Sequence, residues 1–368
     1  SPITNRSGFH ISLPELPDQV PLENEKDYGN YVARLAAFKT YAEQNIALMR
    51  QGMKEGYVLP KATLDGALEP IRAHVVEDAA KSLLYKPFEK FPAVFDAEEQ
   101  KRFREEGKRA IESSVIPGYR EFLAFMEKEY IPAGRDTIAA SDLPNGKAFY
   151  EHRVRHFTTL DTTPKAVHER GLAEVKRIRA EMDAVIKQTK FEGSFEDFSK
   201  LLRTDDRFYA TTPEQLMKEV SFVLKKMDGK LPELFGKLPR MSYGIKPVPD
   251  YIASKTTTAY YEGPTGDGTR AGFYFVNTYD LRSRPLYEIE ALSLHEAVPG
   301  HHLQIALQQE LENIPKFRRF SDVTAFTEGW GLYAERLGLE VGFYEDPYRN
   351  FGRLTYEMWR ACRLVVDT

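Results

Sequence analysis

The chain has 368 residues, 42% of them hydrophobic and 29% charged, a balance that is ordinary for a soluble globular protein. Its formal net charge of −4 gives no electrostatic reason to expect a nucleic-acid partner. No apolar run approaches the roughly 18 residues that a membrane-spanning helix needs. Cys362 is the only cysteine, so an internal disulfide is excluded, which fits the cytosol and also many exported bacterial proteins.

The N-terminal part of the chain is predicted to be an irregular arm followed by helices. Residues 1–22 are rich in proline and short polar residues. From Asp27 onward, apolar residues recur at spacings of three and four, which predicts an amphipathic helix. Further helical segments are predicted at Thr40–Gly56, at Leu64–Tyr85 and at Ala97–Glu129, the last interrupted at Pro117–Gly118.

The middle of the chain is also predicted to be helical, between two irregular connections at residues 131–147 and 228–250. Thr163 before Pro164 is typical of a helix start, with an N-cap followed by proline in the first turn. The long amphipathic helix that begins there is predicted to reach Lys190. Shorter helices are predicted at Phe195–Leu202 and Pro213–Lys226.

The hydrophobic period changes between residues 251 and 282. Thr256–Tyr261 and Gly272–Tyr279 are rich in aromatic and β-branched residues and flank the loop GPTGDG at 263–268, which predicts a small antiparallel hairpin. Three helices are predicted after it, one starting near Pro285–Tyr287, one at Ser321–Leu339 and one at Pro347–Val366. The apolar pattern of the last helix has no stop signal, so we expect the sequence to continue beyond Thr368.

The segment LHEAVPGHHLQ, Leu294–Gln304, carries the strongest chemical signal. It places His295, His301 and His302 within eight residues, and Glu296 directly follows the first histidine. Neutral imidazole is a common zinc ligand, and a glutamate beside a ligating histidine is where zinc peptidases keep their general base. The segment therefore indicates a metallohydrolase that uses Zn²⁺.

The spacing of the histidines leaves two choices for the second ligand. On a regular helix, a gap of seven would put His302 about 20° from His295, whereas a gap of six would put His301 about 120° away. Pro299 and Gly300 lie between them, however, and proline inside a helix disturbs the backbone. A π-type bulge there would return His301 to the face of His295, so we favour His301 and keep His302 as the alternative.

Other residues are candidates for the remaining roles. Glu328 is the favoured third ligand, and Glu335, seven residues later on nearly the same helix face, would be an alternative ligand or a partner of a histidine. Glu296 would act as the general base. Tyr356 and Arg360 on the last helix are candidate donors to the oxyanion of the transition state.

Substrate binding is predicted at the second strand. Its backbone over Gly272–Asn277 would pair with an extended peptide, since strand addition gives affinity without side-chain specificity. The candidate substrate-binding residues are Gly272, Tyr274, Asn277 and Arg363.

Several segments resemble the bacterial family known as domain of unknown function 885. The most specific are HEAVPGHHLQ and TEGWGLYAE (327–335), and DYGNYVARLAAF (27–38), GYVLP (56–60) and LPNGKAFYEHRVRHFTT (143–159) are also similar. The family is similar in turn to helical zinc peptidases of the thimet-oligopeptidase and thermostable-carboxypeptidase type. The resemblance implies a chain longer than 368 residues and favours an exported or periplasmic location, with the cytoplasm as the alternative.

Together these features predict a mainly α fold, with a large helical domain and a small antiparallel sheet beside an active-site cleft lined by a zincin-like helix. A helical region over 1–250 and a catalytic region over 251–368 are expected to form one continuous domain. The predicted function is a zinc metallopeptidase. The alternatives are a metal-dependent hydrolase of non-peptide amides or esters, and a helical binding protein with a relict metal site.

Overall fold

The computed structural model describes residues 2–4, 7–254, 256–266 and 268–368. Parts of the predicted N-terminal arm (Ser1, Asn5 and Arg6) and of the predicted turn (Asp267) lie outside the described residues. The chain divides into two compact units, residues 1–150 and 151–368.

The boundary between the units lies at residue 150, one hundred residues before the boundary that the sequence predicted. The reason is that helix Pro164–Gln188 packs along helix Pro347–Asp367. Residues from both, among them Ile178, Met182 and Leu354, share one hydrophobic cluster. Helices before residue 250 therefore belong with the C-terminal part of the chain.

The first unit is built around helix α1, Glu25–Lys54. The side chain of Asn24 caps this helix by accepting a hydrogen bond from the backbone N–H of Asp27. The sequence predicted two helices here, but a single buried stripe runs without interruption from Tyr28 to Met49, so one helix forms. The short helices Phe9–Ser12 and Leu16–Gln19 replace much of the predicted irregular arm.

The predicted interruption at Pro117 is absent. Helices α2 (Ala97–Ala110) and α3 (Ile116–Phe125) are joined by a π-helical turn at Ile111–Val115, and a second π-helical turn follows at Met126–Tyr130. The first π turn widens the backbone just before the proline, so the helix continues through it.

The predicted helix at Leu64–Tyr85 is largely wrong. Only Glu69–Arg72 is α-helical there, and the remainder consists of turns and 3₁₀ segments. The structure gives the 3₁₀ segments of this part of the chain as Lys61–Thr63, Ala79–Lys81 and Leu83–Phe88. Helix α4, Gly146–Thr158, follows a mostly irregular stretch and was not predicted.

The second unit confirms the helices that the sequence predicted. They are α5 (Pro164–Gln188), α6 (Phe195–Thr204) and α7 (Pro213–Asp228). The Thr163 hydroxyl accepts a hydrogen bond from the backbone N–H of Ala166, as expected for an N-cap before Pro164.

A three-stranded mixed sheet follows, in the order β1-β3-β2. Its strands are β1 (Tyr243–Pro247), β2 (Ala259–Glu262) and β3 (Gly272–Val276). The hairpin β2–β3 is antiparallel, as predicted, but β1 pairs with β3 in parallel. Strand β1 was not predicted, because it is short and lies in the proline-rich segment that we assigned to an irregular connection.

The remaining longer helices are α8 (Ile289–Glu296), α9 (His301–Gln309), α10 (Thr324–Leu337) and α11 (Pro347–Asp367). Short α-helical turns are also present at Leu231–Leu234, Asp250–Ala253 and Lys316–Arg319. Helix α8 is buried along almost its whole length and packs against α7, α10 and α11. The fold is therefore mainly α with a small sheet. Across the described ranges, no helix is long and apolar enough to cross a membrane.

Candidate metal centre

The two histidine-bearing segments are separate helices. Helix α8 ends at Glu296, α9 begins at His301, and residues 297–300 form a break between them. The sequence predicted a single helix with a bulge, and this is corrected. Pro299 has no N–H to continue the ladder, and a Cβ on Gly300 would lie only 1.8 Å from the carbonyl oxygen of His295.

The break brings His301 to His295. The two imidazole rings lie 4.6 Å apart between centroids and are nearly perpendicular, at 86°. Both side chains are buried. Among the described residues, Nδ1 of His301 has no hydrogen-bond partner, so no hydrogen bond accounts for the position of this ring.

Glu328, near the start of α10, faces both rings. Its Oε2 lies 3.6 Å from Nε2 of His295, and its Oε1 lies 3.9 Å from Nε2 of His301. One ligand atom from each of the three residues lies within 4.8 Å of the others. The Glu328 side chain is 59% exposed, so the cluster is reachable from solvent on this side.

These three donors suit a zinc ion. Ligand atoms on tetrahedral zinc, at bond lengths of about 2.0–2.2 Å, lie roughly 3.3–3.6 Å apart. The two distances from Glu328, 3.6 and 3.9 Å, are close to this range, and the three ligand atoms all lie within 4.8 Å of one another. Two imidazoles and one carboxylate are also the donor set of many catalytic zinc sites, which keep the fourth position open. The chemistry and spacing of these residues therefore fit the metal.

His295 is oriented by a buried carboxylate. Its Nδ1 lies 2.8 Å from Oε1 of Glu335, which is itself 2.9 Å from Nη2 of Arg360. An ionised carboxylate only accepts hydrogen bonds, so Nδ1–H donates to Glu335 and the lone pair of a neutral ring lies on Nε2. Because that nitrogen faces His301 and Glu328, the ring is oriented for metal binding.

The protonation of the two histidines differs. Burial lowers the pKa of His295, but the carboxylate of Glu328, 3.6 Å away, and the hydrogen bond to Glu335 outweigh it, and the pKa is raised to about 9. Burial, together with the charge on His295, lowers the pKa of His301. His301 is therefore neutral at physiological pH. The His295 ring is strongly basic, so a metal ion would have to displace a proton from it in order to bind.

The two glutamates of the site also have displaced pKa values. Burial raises the pKa of Glu296 to about 7, the range that suits a general base at neutral pH. The nearby imidazole of His295 lowers the pKa of Glu328, which keeps this carboxylate ionised. The cluster thus combines an ionised carboxylate donor with a second carboxylate that can take up a proton.

His302 points away from the cluster. Its Nε2 lies 3.0 Å from the carbonyl oxygen of Met241, and its Nδ1 lies 2.7 Å from the hydroxyl of Tyr261. The carbonyl requires Nε2–H as donor, so Nδ1 accepts from the tyrosine. Burial lowers the pKa of His302 to about 4, in agreement with a neutral ring that is hydrogen-bonded to Tyr261 of the sheet.

The candidate oxyanion donors on α11 occupy different surroundings. Arg360 is engaged with Glu335 at the back of the His295 ring. Tyr356 is part-buried next to Arg360, and burial raises its pKa well above the usual value, so it stays protonated and able to donate. Arg363 is exposed, and its guanidinium carbon lies 4.9 Å from the centroid of the Trp359 ring.

The predicted use of β3 for substrate pairing is corrected. This strand is central, so β1 and β2 already pair with its backbone from Gly272 to Val276. The Tyr274 side chain is fully buried, and the Asn277 side chain donates to the carbonyl oxygens of Ala253 and Thr257. The outer strands of the sheet are β1 and β2.

The whole chain, residues 1–368, matches the family described as "Bacterial protein of unknown function (DUF885)". The chain belongs to this family. No curated protein matches it. The resemblance noted in the sequence is thereby confirmed at the level of the family.

Two solved structures from other bacteria are similar to the chain. A "putative lipoprotein" from Colwellia psychrerythraea is 27% identical with a TM-score of 0.89, over 98% of this chain and 63% of that one. A "putative lipoprotein of unknown function" from Shewanella oneidensis is 16% identical with a TM-score of 0.56, over 94% of this chain and 65% of that one, and shows the fold alone. The chain spans less than two thirds of the length of both.

Two residues of the site were missed from the sequence, Trp330 and Gly331. The indole N–H of Trp330 donates to the carbonyl oxygen of Pro299 at 2.8 Å, and Gly331 lies against the ring of His295. A signal was available for the glycine, because Glu328, Gly331 and Glu335 follow the i, i+3, i+7 spacing of one helix face.

Proposed function

We propose that this protein is a zinc-dependent hydrolase of peptides, with His295, His301 and Glu328 as the metal ligands. The observation that carries the proposal is the convergence of these three donors, with ligand atoms within 4.8 Å of one another, directly beside Glu296. The combination of two imidazoles, one carboxylate ligand and one adjacent basic carboxylate is typical of metallopeptidases.

The chemistry would be divided between the metal and the chain. When bound, zinc supplies Lewis acidity, which acidifies water and polarises a carbonyl group. Glu296 takes the proton of the attacking water on its carboxylate and delivers it to the nitrogen of the leaving amine. Glu335 holds the His295 ring through Nδ1, and Arg360 balances the charge of Glu335.

Peptides are the favoured substrate because the site lies beside an outer strand of the sheet. Strand β2 pairs with β3, and Tyr261 of β2 contacts His302, the residue that follows a proposed ligand. An extended peptide can add to such an edge through backbone hydrogen bonds. This edge takes the place of β3 in the substrate-binding hypothesis.

The test combines metal analysis with one substitution. Protein purified without chelators is expected to contain about one zinc per chain. Glu296→Gln should keep the zinc but lower peptide turnover by at least about 10²-fold, because the amide cannot accept the proton. Glu312→Gln, at an exposed position, is the matched control and should leave both unchanged.

Two results would contradict the proposal. Full activity in protein that contains no metal would exclude the zinc mechanism. Hydrolysis of small esters or non-peptide amides, together with no cleavage in a peptide library, would exclude peptides as the substrate class.

An exported location is proposed on the basis of the relatives. The similar protein from Colwellia psychrerythraea is described as a lipoprotein, which is a class of exported protein. Cell fractionation of the source bacterium should find the protein outside the cytoplasm, and recovery in the cytoplasm alone would contradict this proposal.

A further inference from the structure

Helix α10 approaches His295 more closely than an ordinary side chain would allow. A Cβ built on Gly331 would lie 2.6 Å from Cε1, 2.8 Å from Nε2 and 2.9 Å from Nδ1 of the His295 ring. These distances are far below normal van der Waals contact between carbon and nitrogen atoms. The imidazole therefore lies directly on the backbone of Gly331.

The ring is also held at both nitrogens. Its Nδ1 is bonded to Glu335, one turn after Gly331, and its Nε2 faces Glu328, almost one turn before it. All three residues belong to α10, so one rigid helix contacts the imidazole on one face and at both nitrogens. A methyl group at residue 331 would force the ring to rotate and would move Nε2.

The neighbouring residue holds the other histidine-bearing segment. Trp330 donates its indole N–H to the carbonyl oxygen of Pro299, within the break that precedes His301. The same side chain lies 6.2 Å from Phe235 and 5.7 Å from Tyr333 between ring centroids, so its position is fixed by packing. Two adjacent residues of α10 thus contact the two histidine-bearing segments: Gly331 lies against the His295 ring, and Trp330 is hydrogen-bonded to the break before His301.

We infer that Gly331 and Trp330 are positioning residues for metal binding: Gly331 sets the place of the His295 ring, and Trp330 holds the break that places His301. The inference rests on the proposed zinc site. Neither residue offers a ligand atom, so both would act only through the histidines.

The first test compares two glycines of the same helix. Gly331→Ala should weaken zinc binding by about tenfold or more in a chelator competition, as expected when a ligand is misplaced. Gly329→Ala is the matched control, because a Cβ there meets nothing within 4 Å and the gain in helix propensity is the same. Its zinc affinity should stay within about twofold of the parent protein.

The spectrum of Co²⁺ in place of zinc separates a change of position from a general loss of stability. Gly331→Ala should alter the visible bands, which report coordination geometry, whereas Gly329→Ala should retain the parental bands. If Gly331→Ala folds, binds zinc as tightly as Gly329→Ala and shows the parental cobalt bands, the role of Gly331 is refuted.

The second test uses the two tryptophans. It tests the role of Trp330 even if Gly331→Ala does not fold. Trp330→Phe removes the indole N–H but keeps an aromatic ring, and should weaken zinc binding by about fivefold or more, as a lost hydrogen bond of about 1 kcal/mol predicts. Trp359→Phe, at an exposed position of α11, should have no effect. Equal zinc affinities of these two variants would refute the role of Trp330.

These outcomes differ from a failure of the proposed function. If the parent protein binds no zinc, the metal hypothesis itself fails. If the parent binds zinc and all four variants bind it equally, only the positioning inference fails.

Discussion

At the scale of single residues, the site depends on the contacts of the His295 ring, at its two nitrogens and on one face. Nδ1 donates to a buried glutamate, Nε2 faces a half-exposed one, and the ring face lies on a glycine. This arrangement fixes both the tautomer and the orientation of the ring. A ligand histidine so constrained loses little conformational entropy on binding a metal.

The contact between Glu335 and His295 gives the first residue-scale prediction. Glu335→Gln keeps the shape of the side chain but removes its charge, and it leaves Arg360 without its buried partner. We expect zinc affinity to fall by about 10–100-fold, the usual effect of losing a carboxylate behind a ligating histidine. Chelator competition measures this, and the exposed Glu340→Gln on the following turn is the control. Unchanged affinity in Glu335→Gln would show that the ring needs no such partner.

The choice between the two adjacent histidines gives the second residue-scale prediction. His301→Ala should lose zinc, because it removes a proposed ligand atom. His302→Ala should retain zinc but unfold more easily, by about 1–3 kcal/mol, because it leaves the carbonyl of Met241 and the hydroxyl of Tyr261 without their partner. Metal content and urea unfolding of both variants decide the matter. Loss of zinc only in His302→Ala would reverse the assignment of the ligand.

At the scale of elements, the break between α8 and α9 is the feature that creates the site. In one continuous helix His301 would point away from His295. The break changes the direction of the chain, so that the His301 ring lies next to the His295 ring. The backbone N–H of His302 donates to the carbonyl of Ala297, and that of Gln304 to the carbonyl of Gly300, so hydrogen bonds from the first turn of α9 reach back into the break.

Gly300 makes this break possible, which gives the prediction at the element scale. A Cβ at residue 300 would lie 1.8 Å from the carbonyl oxygen of His295 and 2.4 Å from that of Leu294. Both contacts are with backbone atoms, which no side-chain rotation can relieve. We expect Gly300→Ala to destabilise the protein by about 3 kcal/mol or more and to lose zinc. Urea unfolding followed by the fluorescence of Trp330 and Trp359 measures the first effect. A variant of normal stability that still binds zinc would show that the break tolerates a side chain.

At the scale of the whole molecule, the candidate site belongs to the second unit, while the first unit holds a separate pair of buried histidines. His10 lies 5.3 Å from Phe122 and His74 lies 4.6 Å from Tyr119 between ring centroids. In the described residues, Nδ1 of each histidine is buried without a hydrogen-bond partner. Burial lowers the pKa of both, and the charge of His74 adds to this effect at His10.

These histidines should make the first unit sensitive to acid. The pKa of His10 falls from 6.5 to about 4 on folding, so between these values the unfolded chain binds more protons than the folded one. The stability of the unit is therefore complete above pH 6.5 and decreases as the pH falls towards 4. At about 1.4 kcal/mol per pH unit, His10 accounts for at most about 3 kcal/mol.

Urea unfolding at several pH values, read by pulsed hydrogen exchange in peptides from α1, measures this effect in the first unit alone. Tryptophan fluorescence would not serve, because both tryptophans lie in the second unit. His10→Gln removes the titrating group, so its stability should depend less on pH between 6.5 and 4. The same dependence in the parent and in His10→Gln would contradict the assignment to this histidine.

Local patterns in the sequence predicted most of the long helices and the chemical groups of the site. The three/four spacing of apolar residues, the N-cap at Thr163 and the two motifs HEAVPGHH and TEGWGLYAE all act within one or two helical turns, so they can be recognised without knowledge of the fold. The β2–β3 hairpin was predictable for the same reason.

Only the tertiary structure decided how those groups meet. The contacts of Gly331 with His295, of Trp330 with Pro299 and of His302 with Met241 join residues that lie 31–61 positions apart in the chain. Strand β1 depends on its parallel partner β3, and the boundary of the second unit depends on the packing of α5 along α11. Contacts at such separations follow from packing the whole chain, and no local period or propensity encodes them.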